Sequence, residues 1–272
     1  MIDADAIRSY RPPPELLRGR VVAITGAGDG IGRALAVQCA RLGAQVVLIG
    51  RSVRKLEAVE AEIAKLASPD APKAEASIAP LDLEKALAGD YDRLAAAVGE
   101  RYGRLDGLVH NAAMLGVLAP IEHADMRNWC RVLHVNLTAA FALTQVLLPA
   151  LRASADASVI YTSSSVGRRG RANWGAYAVS KFGIEGLSQV LADELDGNSA
   201  VRVNAINPGP TRTRMRRQAY PAENVERLPL PDDILAPYLW LLGPASRGVT
   251  GQSLDCQSRP PRDAAAAAEA AR

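Results

Sequence analysis

A short apolar run that stops at a cluster of glycines is the feature that most restricts the fold of this chain. Residues Val21 to Thr25 are apolar and rich in β-branched side chains, and the sequence GAGDGIG follows them directly. A helical pattern then ends at Gly43, and Val46 to Ile49 form a second run of β type. Strand, glycine turn, helix and strand within about 30 residues predict a βαβ unit, which requires a parallel sheet.

The same alternation of strand and helix continues along most of the 272 residues. Continuously apolar strands, such as Gly107 to His110, indicate a sheet that is buried on both faces. Further elements are predicted as helices over Val53–Ala67, Asp92–Tyr102, Trp129–Leu151 and Trp174–Leu195, and as strands over Ala76–Leu81, Ser158–Tyr161 and Val201–Ile206. The predicted fold class is α/β, a single-domain Rossmann-type doubly wound parallel sheet of six to seven strands with helices on both faces.

Composition divides the chain into three parts. We predict an N-terminal extension over residues 1–19, one Rossmann-type domain over residues 20–258, and a Pro/Ala-rich, disordered tail over residues 259–272. Inside the domain, Thr211 to Asp232 contains several prolines and arginines, and we expect an irregular, mobile excursion there.

Charge and residue usage exclude several classes of protein. The net charge of +3, from 32 basic and 29 acidic residues, is too balanced for a nucleic-acid-binding protein. The three cysteines and three histidines are scattered, so neither a disulfide framework nor a metal site is expected. The first 20 residues lack the apolar core of a signal peptide, and we expect charges to interrupt every apolar stretch before it could span a membrane. These patterns predict a cytoplasmic protein that binds neither nucleic acid nor membrane.

The glycine turn predicts a nucleotide site. Gly26, Gly28 and Gly30 let the backbone approach a pyrophosphate closely. The helix that starts near Asp29 and Ile31 directs unpaired N–H groups at the same anion. The alternative is a tight turn that needs glycine only for its geometry. Its position after the first strand of an alternating α/β chain favours nucleotide binding.

The end of the second strand bears on the choice of cofactor. Gly50 stands where an acidic side chain would accept a hydrogen bond from a ribose 2′-hydroxyl, and Arg51 follows it. A guanidinium suits a 2′-phosphate, so NADP(H) is favoured over NAD(H). The alternative is that Arg51 is a solvated loop charge. Asp29, an acid inside the glycine turn, counts against the preference.

Tyr177 and Lys181 form a candidate catalytic pair. They are four residues apart in a predicted helix, so both side chains lie on one face. A phenol with its usual pKa of about 10 is a poor acid or base at neutral pH. A nearby ammonium favours the phenolate, and Lys181 is therefore expected to lower the pKa of Tyr177. The alternative is a pair on the surface of a helix.

Taken in chain order, these motifs resemble the short-chain dehydrogenase/reductase family. The resemblance extends over residues 20–256 and rests on the Thr25-Gly turn, the Tyr177-x-x-x-Lys181 pair and the sequence NPGPTRT at residues 207–213. It implies that Ser164, 13 residues before Tyr177, holds the substrate oxygen. It also implies that Asn136 positions a water in a proton relay through Lys181.

The resemblance further implies which residues hold the cofactor. Asp82 would contact the adenine, although a helix N-cap is an alternative and compatible role. Thr211 and Thr213 would hold the nicotinamide end. The full set of implied cofactor-binding residues is Gly26, Gly28, Asp29, Gly30, Ile31, Arg51, Asp82, Leu83, Asn111, Ala112, Tyr177, Lys181, Pro208, Gly209, Thr211 and Thr213.

The resemblance implies an enzyme that interconverts a carbonyl and an alcohol on a small-molecule substrate, and Gly50 with Arg51 favours NADP(H) as its cofactor. It also implies a homodimer or homotetramer that pairs the helices near Trp129–Leu151 and Trp174–Leu195. The run TSSSVGRRGRANWGAY at residues 162–177 narrows the resemblance to the YciK group of bacterial short-chain oxidoreductases. One rival is a non-catalytic NADP(H)-binding regulatory module. A second rival, an epimerase or dehydratase of the extended branch, predicts a different glycine spacing and a larger C-terminal region.

Two groups of arginines flank the predicted site. Arg168, Arg169 and Arg171 precede Tyr177, and the second group lies between Arg212 and Arg217. One hypothesis is that they recruit an anionic substrate, and the alternative is that they are solvated loop charges. Trp174, three residues before Tyr177, either forms a wall of the cleft or packs against the start of the helix.

Overall fold

The computed structural model describes residues 3–66 and 75–258, and within them the chain forms one sheet with helices on both faces. The predicted tail over 259–272 and the predicted helix end at Ala67 lie outside these residues. The strands are β1 Val21–Thr25, β2 Gln45–Gly50, β3 Glu75–Pro80, β4 Gly107–His110, β5 Ala157–Thr162, β6 Val201–Asn207 and β7 Ser253–Asp255. The helices are α1 Ala4–Arg8, α2 Gly30–Arg41, α3 Val53–Ala64, α4 Ala88–Tyr102, α5 Met126–Leu133, α6 Ala139–Arg152, α7 Gly175–Leu195, α8 Arg214–Ala219 and α9 Ala236–Leu242.

The strand order is β3-β2-β1-β4-β5-β6-β7, and every neighbouring pair is parallel. This architecture confirms the predicted doubly wound α/β fold. The order changes direction between β1 and β4, because the chain first builds outward to β3 and then returns to the other side of β1. In such sheets the crevice beyond the carboxyl ends of the strands at this point is where ligands bind.

Strand β1 shows why the apolar runs are continuous rather than alternating. Val22 and Ile24 belong to one buried cluster, while Val21 and Ala23 belong to the cluster on the other face. Both faces of the strand are therefore core, as the apolar pattern predicted. Because neither face of β1 is polar, polar side chains can lie together only at the ends of the strand.

The segment predicted as an N-terminal extension packs on the domain. Leu17 is fully buried, and its backbone N–H donates to the Leu42 carbonyl at 2.9 Å. The Leu16 side chain lies against Gly243 at the end of α9. Residues just before β1 therefore belong to the same hydrophobic core as α2 and α9.

The helix over Met126–Arg152 differs in two ways from its prediction. It is interrupted by a π-helical turn at His134–Thr138, which separates α5 from α6. It is also long and apolar enough, with a mean hydropathy of 1.5, to cross a membrane by length and composition alone. Our expectation that charges interrupt every such stretch was wrong here, because Arg131 and Arg152 bound a stretch without Asp, Glu, Lys or Arg. This is weak evidence for a membrane span, since a core helix passes the same test.

The buried face of α6 accounts for much of this apolar character. Leu143, Leu147 and Leu151 are fully buried in the cluster that contains the sheet and α7. The predicted irregular excursion over Thr211–Asp232 contains the short helix α8 and two 3-10 turns, at Val225–Arg227 and Pro231–Ile234.

Candidate active site

The crevice between β1 and β4 is organised by Thr25 at the end of β1. Its hydroxyl accepts hydrogen bonds from the backbone N–H groups of Asn111 and Ala112, each at 3.0 Å. The Asn111 amide donates to the Thr25 carbonyl at 3.1 Å. The threonine thus joins the ends of the two strands at the point where the strand order changes direction.

The glycine turn fits a pyrophosphate because its backbone leaves no room for side chains. Gly26 has a φ of +67°, and a Cβ atom at Gly32 would lie 2.4 Å from the Gly26 carbonyl oxygen. Asp29 caps the N-terminus of α2 by accepting from the Gly30 N–H at 2.8 Å, and Ile31 in the first turn packs partly against the core. The N-terminus of α2 opens onto this turn and can hold an anion.

The predicted adenosine end lies where β2 and β3 finish. The Leu81 N–H donates to the Gly50 carbonyl at 3.0 Å, which places Asp82 beside the start of the loop that carries exposed Arg51. Asp82 accepts from the Glu84 N–H at 3.2 Å within a turn, and Leu83 packs against the core. The helix-cap alternative for Asp82 was wrong, because α4 begins at Ala88 and its N-cap is Leu87.

Sequence reasoning missed Lys55. This residue lies in the first turn of α3, forms an ion pair with Asp29 of the glycine turn, and approaches Gly28 closely enough that a Cβ there would be 2.9 Å from its own Cβ. The hydrogen bond from Lys55 lowers the pKa of the Asp29 carboxyl. No local sequence pattern links Lys55 to Asp29. Lys55 lies four residues after Arg51, however, and the two basic residues form one rim of the crevice.

The turn after β6 closes the opposite side of the crevice. The Thr213 methyl group lies 3.5 Å from the position of a Cβ at Gly30, so the two predicted cofactor segments meet. The Gln257 amide donates to the carbonyls of Pro208 and Pro210, each at 2.8 Å. Gln257 was also missed, because a single amide beyond the last strand carries no local pattern.

The other predicted members of this turn are ordered by local bonds. The Gly209 N–H donates to the Asn207 side chain at 3.1 Å, and Gly209 has a φ of +74°. The Thr211 hydroxyl is buried and donates to the Gly209 carbonyl at 3.2 Å.

Tyr177, Ser164 and Lys181 meet at the carboxyl end of β5. Tyr177 lies in the first turn of α7 and is buried, and its side chain shares a hydrogen bond with Ser164. The Lys181 ammonium lies 5.6 Å from the centre of the Tyr177 ring and donates to the Thr162 carbonyl at 2.7 Å. Ser164 is the member of its triplet that bonds Tyr177. Ser163 is buried and Ser165 is exposed.

Burial dominates the titration of this pair. Desolvation raises the pKa of Tyr177 to about 12, against the opposing effect of the Ser164 hydrogen bond. Desolvation also lowers the pKa of Lys181 to about 8, while the charge of Glu185 opposes it. The expectation that Lys181 lowers the pKa of Tyr177 was wrong, because burial raises this pKa and the Ser164 hydrogen bond is the group that opposes it.

Asn136 is buried inside the π-helical turn. Its side chain accepts from the Met114 N–H at 2.7 Å and donates to the Met114 carbonyl at 2.9 Å. It also donates to Ser180 at 3.0 Å, and the Ser180 hydroxyl donates to the Tyr177 carbonyl at 2.7 Å. The amide thus connects the segment after β4 with the turn of α7 that carries Tyr177. Such π turns often occur at functional sites.

Comparison with known proteins identifies the family. The family model for the short chain dehydrogenases matches residues 20–224. The chain belongs to the short-chain dehydrogenase family. It is 46% identical over 252 residues to the oxidoreductase YciK of Escherichia coli K12, covering 91% of this chain and 96% of the relative.

Two solved structures of short-chain dehydrogenases superpose closely. One, from Pseudomonas syringae, is 51% identical with a TM-score of 0.89 and covers 94% of this chain and 100% of its own. Another, from Escherichia coli CFT073 in complex with NADPH, is 47% identical with a TM-score of 0.85 and covers 90% of this chain and 100% of its own. The protein is therefore an oxidoreductase of this family, whose members act on alcohol and carbonyl groups.

One arginine of this dehydrogenase is already neutralised, which corrects the hypothesis that its whole group recruits an anionic substrate. Arg168 bonds Glu185 at 3.1 Å, Asp255 at 2.7 Å and the Leu254 carbonyl at 3.0 Å. Asp255 also accepts from Asn207 at 2.8 Å. Arg168 therefore connects the loop after β5 with α7 and β7.

A buried histidine lies next to this site. His110 at the end of β4 stacks on Tyr161, with ring centres 4.8 Å apart. Its Nε2 is 2.8 Å from the Thr144 hydroxyl, which itself donates to the Ala140 carbonyl. Burial lowers the pKa of His110 to about 3, with a smaller contribution from Lys181, so the ring is neutral at physiological pH.

Proposed function

We propose that this short-chain dehydrogenase is an NADP(H)-dependent oxidoreductase that interconverts a carbonyl and an alcohol through Tyr177, Lys181, Ser164 and Asn136. The observation that carries the proposal is the convergence of Ser164 and Lys181 on one buried phenol, Tyr177. A phenol held between a hydroxyl and an ammonium in a dry site can exchange a proton with a substrate oxygen.

In the direction of reduction, bound NADPH supplies a hydride to the carbonyl carbon. The Ser164 hydroxyl holds the substrate oxygen beside Tyr177, and the Tyr177 hydroxyl gives that oxygen its proton. The resulting phenolate is stabilised by the Lys181 ammonium, which the Thr162 carbonyl holds in place. A proton from solvent then returns to Tyr177 through Lys181 and the water that Asn136 is proposed to position. Oxidation of the alcohol is the reverse.

The preference for NADP(H) rests on the rim formed by Arg51 and Lys55. The Arg51 guanidinium in the loop after β2 and the Lys55 ammonium at the start of α3 suit the dianionic 2′-phosphate. The Escherichia coli relative was solved with NADPH, which supports the same cofactor here. The glycine turn, Asp82, Asn111 and the turn after β6 would hold the rest of the dinucleotide.

A homodimer or homotetramer is also proposed. Phe141 on α6 and Val179, Phe182 and Val190 on α7 are large apolar side chains that are each at least 45% exposed. A stripe of this kind on two neighbouring helices suits a symmetric interface between copies of the chain.

A cytoplasmic, reducing location agrees with the cysteines Cys39, Cys130 and Cys256, which are free thiols.

Titration with NADPH and NADH, followed by fluorescence, tests the cofactor assignment. Arg51→Asp should weaken NADPH binding by about ten- to a hundred-fold and leave NADH binding nearly unchanged. Arg54→Asp, an exposed neighbour on α3, is the matched control and should change neither. Equal affinity of the wild type for both cofactors would contradict the preference.

Tyr177→Phe tests the catalytic assignment. It should bind NADPH as the wild type does and lose carbonyl reduction by at least about a thousand-fold, because the proton donor is gone. NADPH binding without Tyr177-dependent reduction of any carbonyl in a broad panel would instead favour the non-catalytic regulatory module.

A further inference from the structure

An apolar wall surrounds the proposed proton donor. Tyr177 packs in a cluster that includes Leu115 and Val166, and half-buried apolar side chains from three separate segments lie against it. These side chains are Met114 and Leu118 after β4, Trp174 before α7, and Met215 and Ala219 on α8. Trp174 meets the Tyr177 ring edge-on, with the ring centres 5.7 Å apart.

Two arginines beside this wall, Arg171 and Arg216, are bound to other protein groups. Arg216 pairs with Glu223 at 2.6 Å and lies 3.8 Å from the centre of the Tyr220 ring. Arg171 donates to the Tyr220 hydroxyl at 2.6 Å. Tyr220 also packs on Trp174, with ring centres 5.8 Å apart. The two arginines therefore hold Tyr220 in place against Trp174. Arg168 is also bound to protein groups, as described above.

We propose that the substrate carries its carbonyl on an uncharged apolar body, and that Met215 and Trp174 determine this specificity. This inference rests on the proposed function of Tyr177. A carboxylate placed against these side chains would lose its hydration. The guanidinium groups of Arg216, Arg168 and Arg171 are already bound to Glu223, Glu185 and Tyr220, respectively. An apolar body would instead bury its surface against Met215 and Trp174.

A matched pair of aldehydes tests the proposal. The probes are para-formylbenzoate and its methyl ester, which present the same carbonyl and differ in charge. With NADPH, kcat/KM should be at least about ten-fold higher for the ester, mainly through KM. Met215→Ala should lower kcat/KM for the ester about ten-fold through KM, and Met215→Lys should shift the preference toward the carboxylate. Arg217→Ala, on the same helix but exposed, should leave both values unchanged.

Equilibrium binding separates substrate class from catalysis. Calorimetric titration of both aldehydes into the enzyme–NADP⁺ complex, which cannot reduce them, should show the ester bound at least about ten-fold more tightly. Equal or tighter binding of the carboxylate, or binding of neither aldehyde, overturns the proposal. The proposed function fails by a different outcome, namely no NADPH binding or turnover that survives in Tyr177→Phe.

Discussion

The Lys181 ammonium is buried, and burial disfavours a positive charge. It is 2% exposed, and burial lowers its pKa to about 8 from an ordinary value of 10.5. Between these two values the unfolded chain binds more protons than the native one, so stability increases as pH rises through this window. Below pH 8 the full cost of the buried charge remains. The site thus carries a group that the proposed chemistry requires and folding disfavours.

Lys181→Met should therefore stabilise the protein while abolishing reduction. Replacing the buried ammonium by an apolar chain of similar length should raise the free energy of unfolding at pH 7 by roughly 1–2 kcal/mol, after the lost bond to the Thr162 carbonyl. Urea unfolding at pH 7 and pH 10.5 measures the effect, which should shrink at the higher pH. A variant less stable than the wild type at both pH values would contradict this reasoning.

The Asp29–Lys55 ion pair occupies the rim where the 2′-phosphate is proposed to bind. Lys55→Ala should weaken NADPH binding about ten-fold, because one charge-assisted partner of the phosphate is lost. Asp29→Asn should strengthen it a few-fold, because Lys55 is released from its present partner. NADH affinity in both variants is the control, and parallel changes for NADH and NADPH would place Lys55 away from the phosphate.

At the scale of elements, the π-helical turn at His134–Thr138 sets the position of Asn136. The sequence predicted a single regular helix over Trp129–Leu151, although asparagine is a poor helix former. The extra backbone residue in the turn is stabilised by contacts with Met114 and Ser180, which are distant along the chain. A periodicity of apolar residues carries no information about such contacts, so the helix could be predicted and the turn could not.

Asn136→Ala should destabilise the protein by about 1–2 kcal/mol, because it leaves the part-buried N–H and carbonyl of Met114 without their partner. It should also lower kcat more than it changes KM, since Tyr177 loses a support through Ser180. Gln145→Ala, on the exposed face of the same helix, is the control for both thermal unfolding and kinetics. Unchanged stability would show that the hydrogen bonds of this turn contribute little.

Other elements show what sequence could and could not predict. The strand predicted over Val201–Ile206 and the helix over Trp174–Leu195 agree with the structure to within one residue, because continuous apolar runs and glycine turns are local signals. Thr25 and Tyr177 also followed from local motifs. Lys55 and Gln257 did not, because each contacts the site from a segment whose own sequence has no special pattern. The engagement of Arg168 by two carboxylates likewise depends on tertiary structure alone.

For the whole molecule, the exposed apolar stripe on α6 and α7 predicts self-association. Phe182→Asp combined with Val190→Asp should shift the mass measured by light scattering to that of a smaller assembly, because buried carboxylates disfavour the interface. Glu57→Lys, a charge change on exposed α3, should leave the mass unchanged. A wild-type protein that is monomeric at micromolar concentration would contradict the proposed interface.

The stacked His110 and Tyr161 rings set a limit to acid tolerance. His110 must be neutral in the folded protein, with a pKa of about 3 against an ordinary value of 6.5, so the unfolded chain binds the extra proton first as pH falls. Stability should decline steadily from pH 6.5 toward pH 3, by several kcal/mol in all. Unfolding curves across this range should show a weaker decline for His110→Asn than for His123→Asn, whose imidazole is exposed. We therefore expect acid to unfold the wild-type protein at a higher pH than His110→Asn.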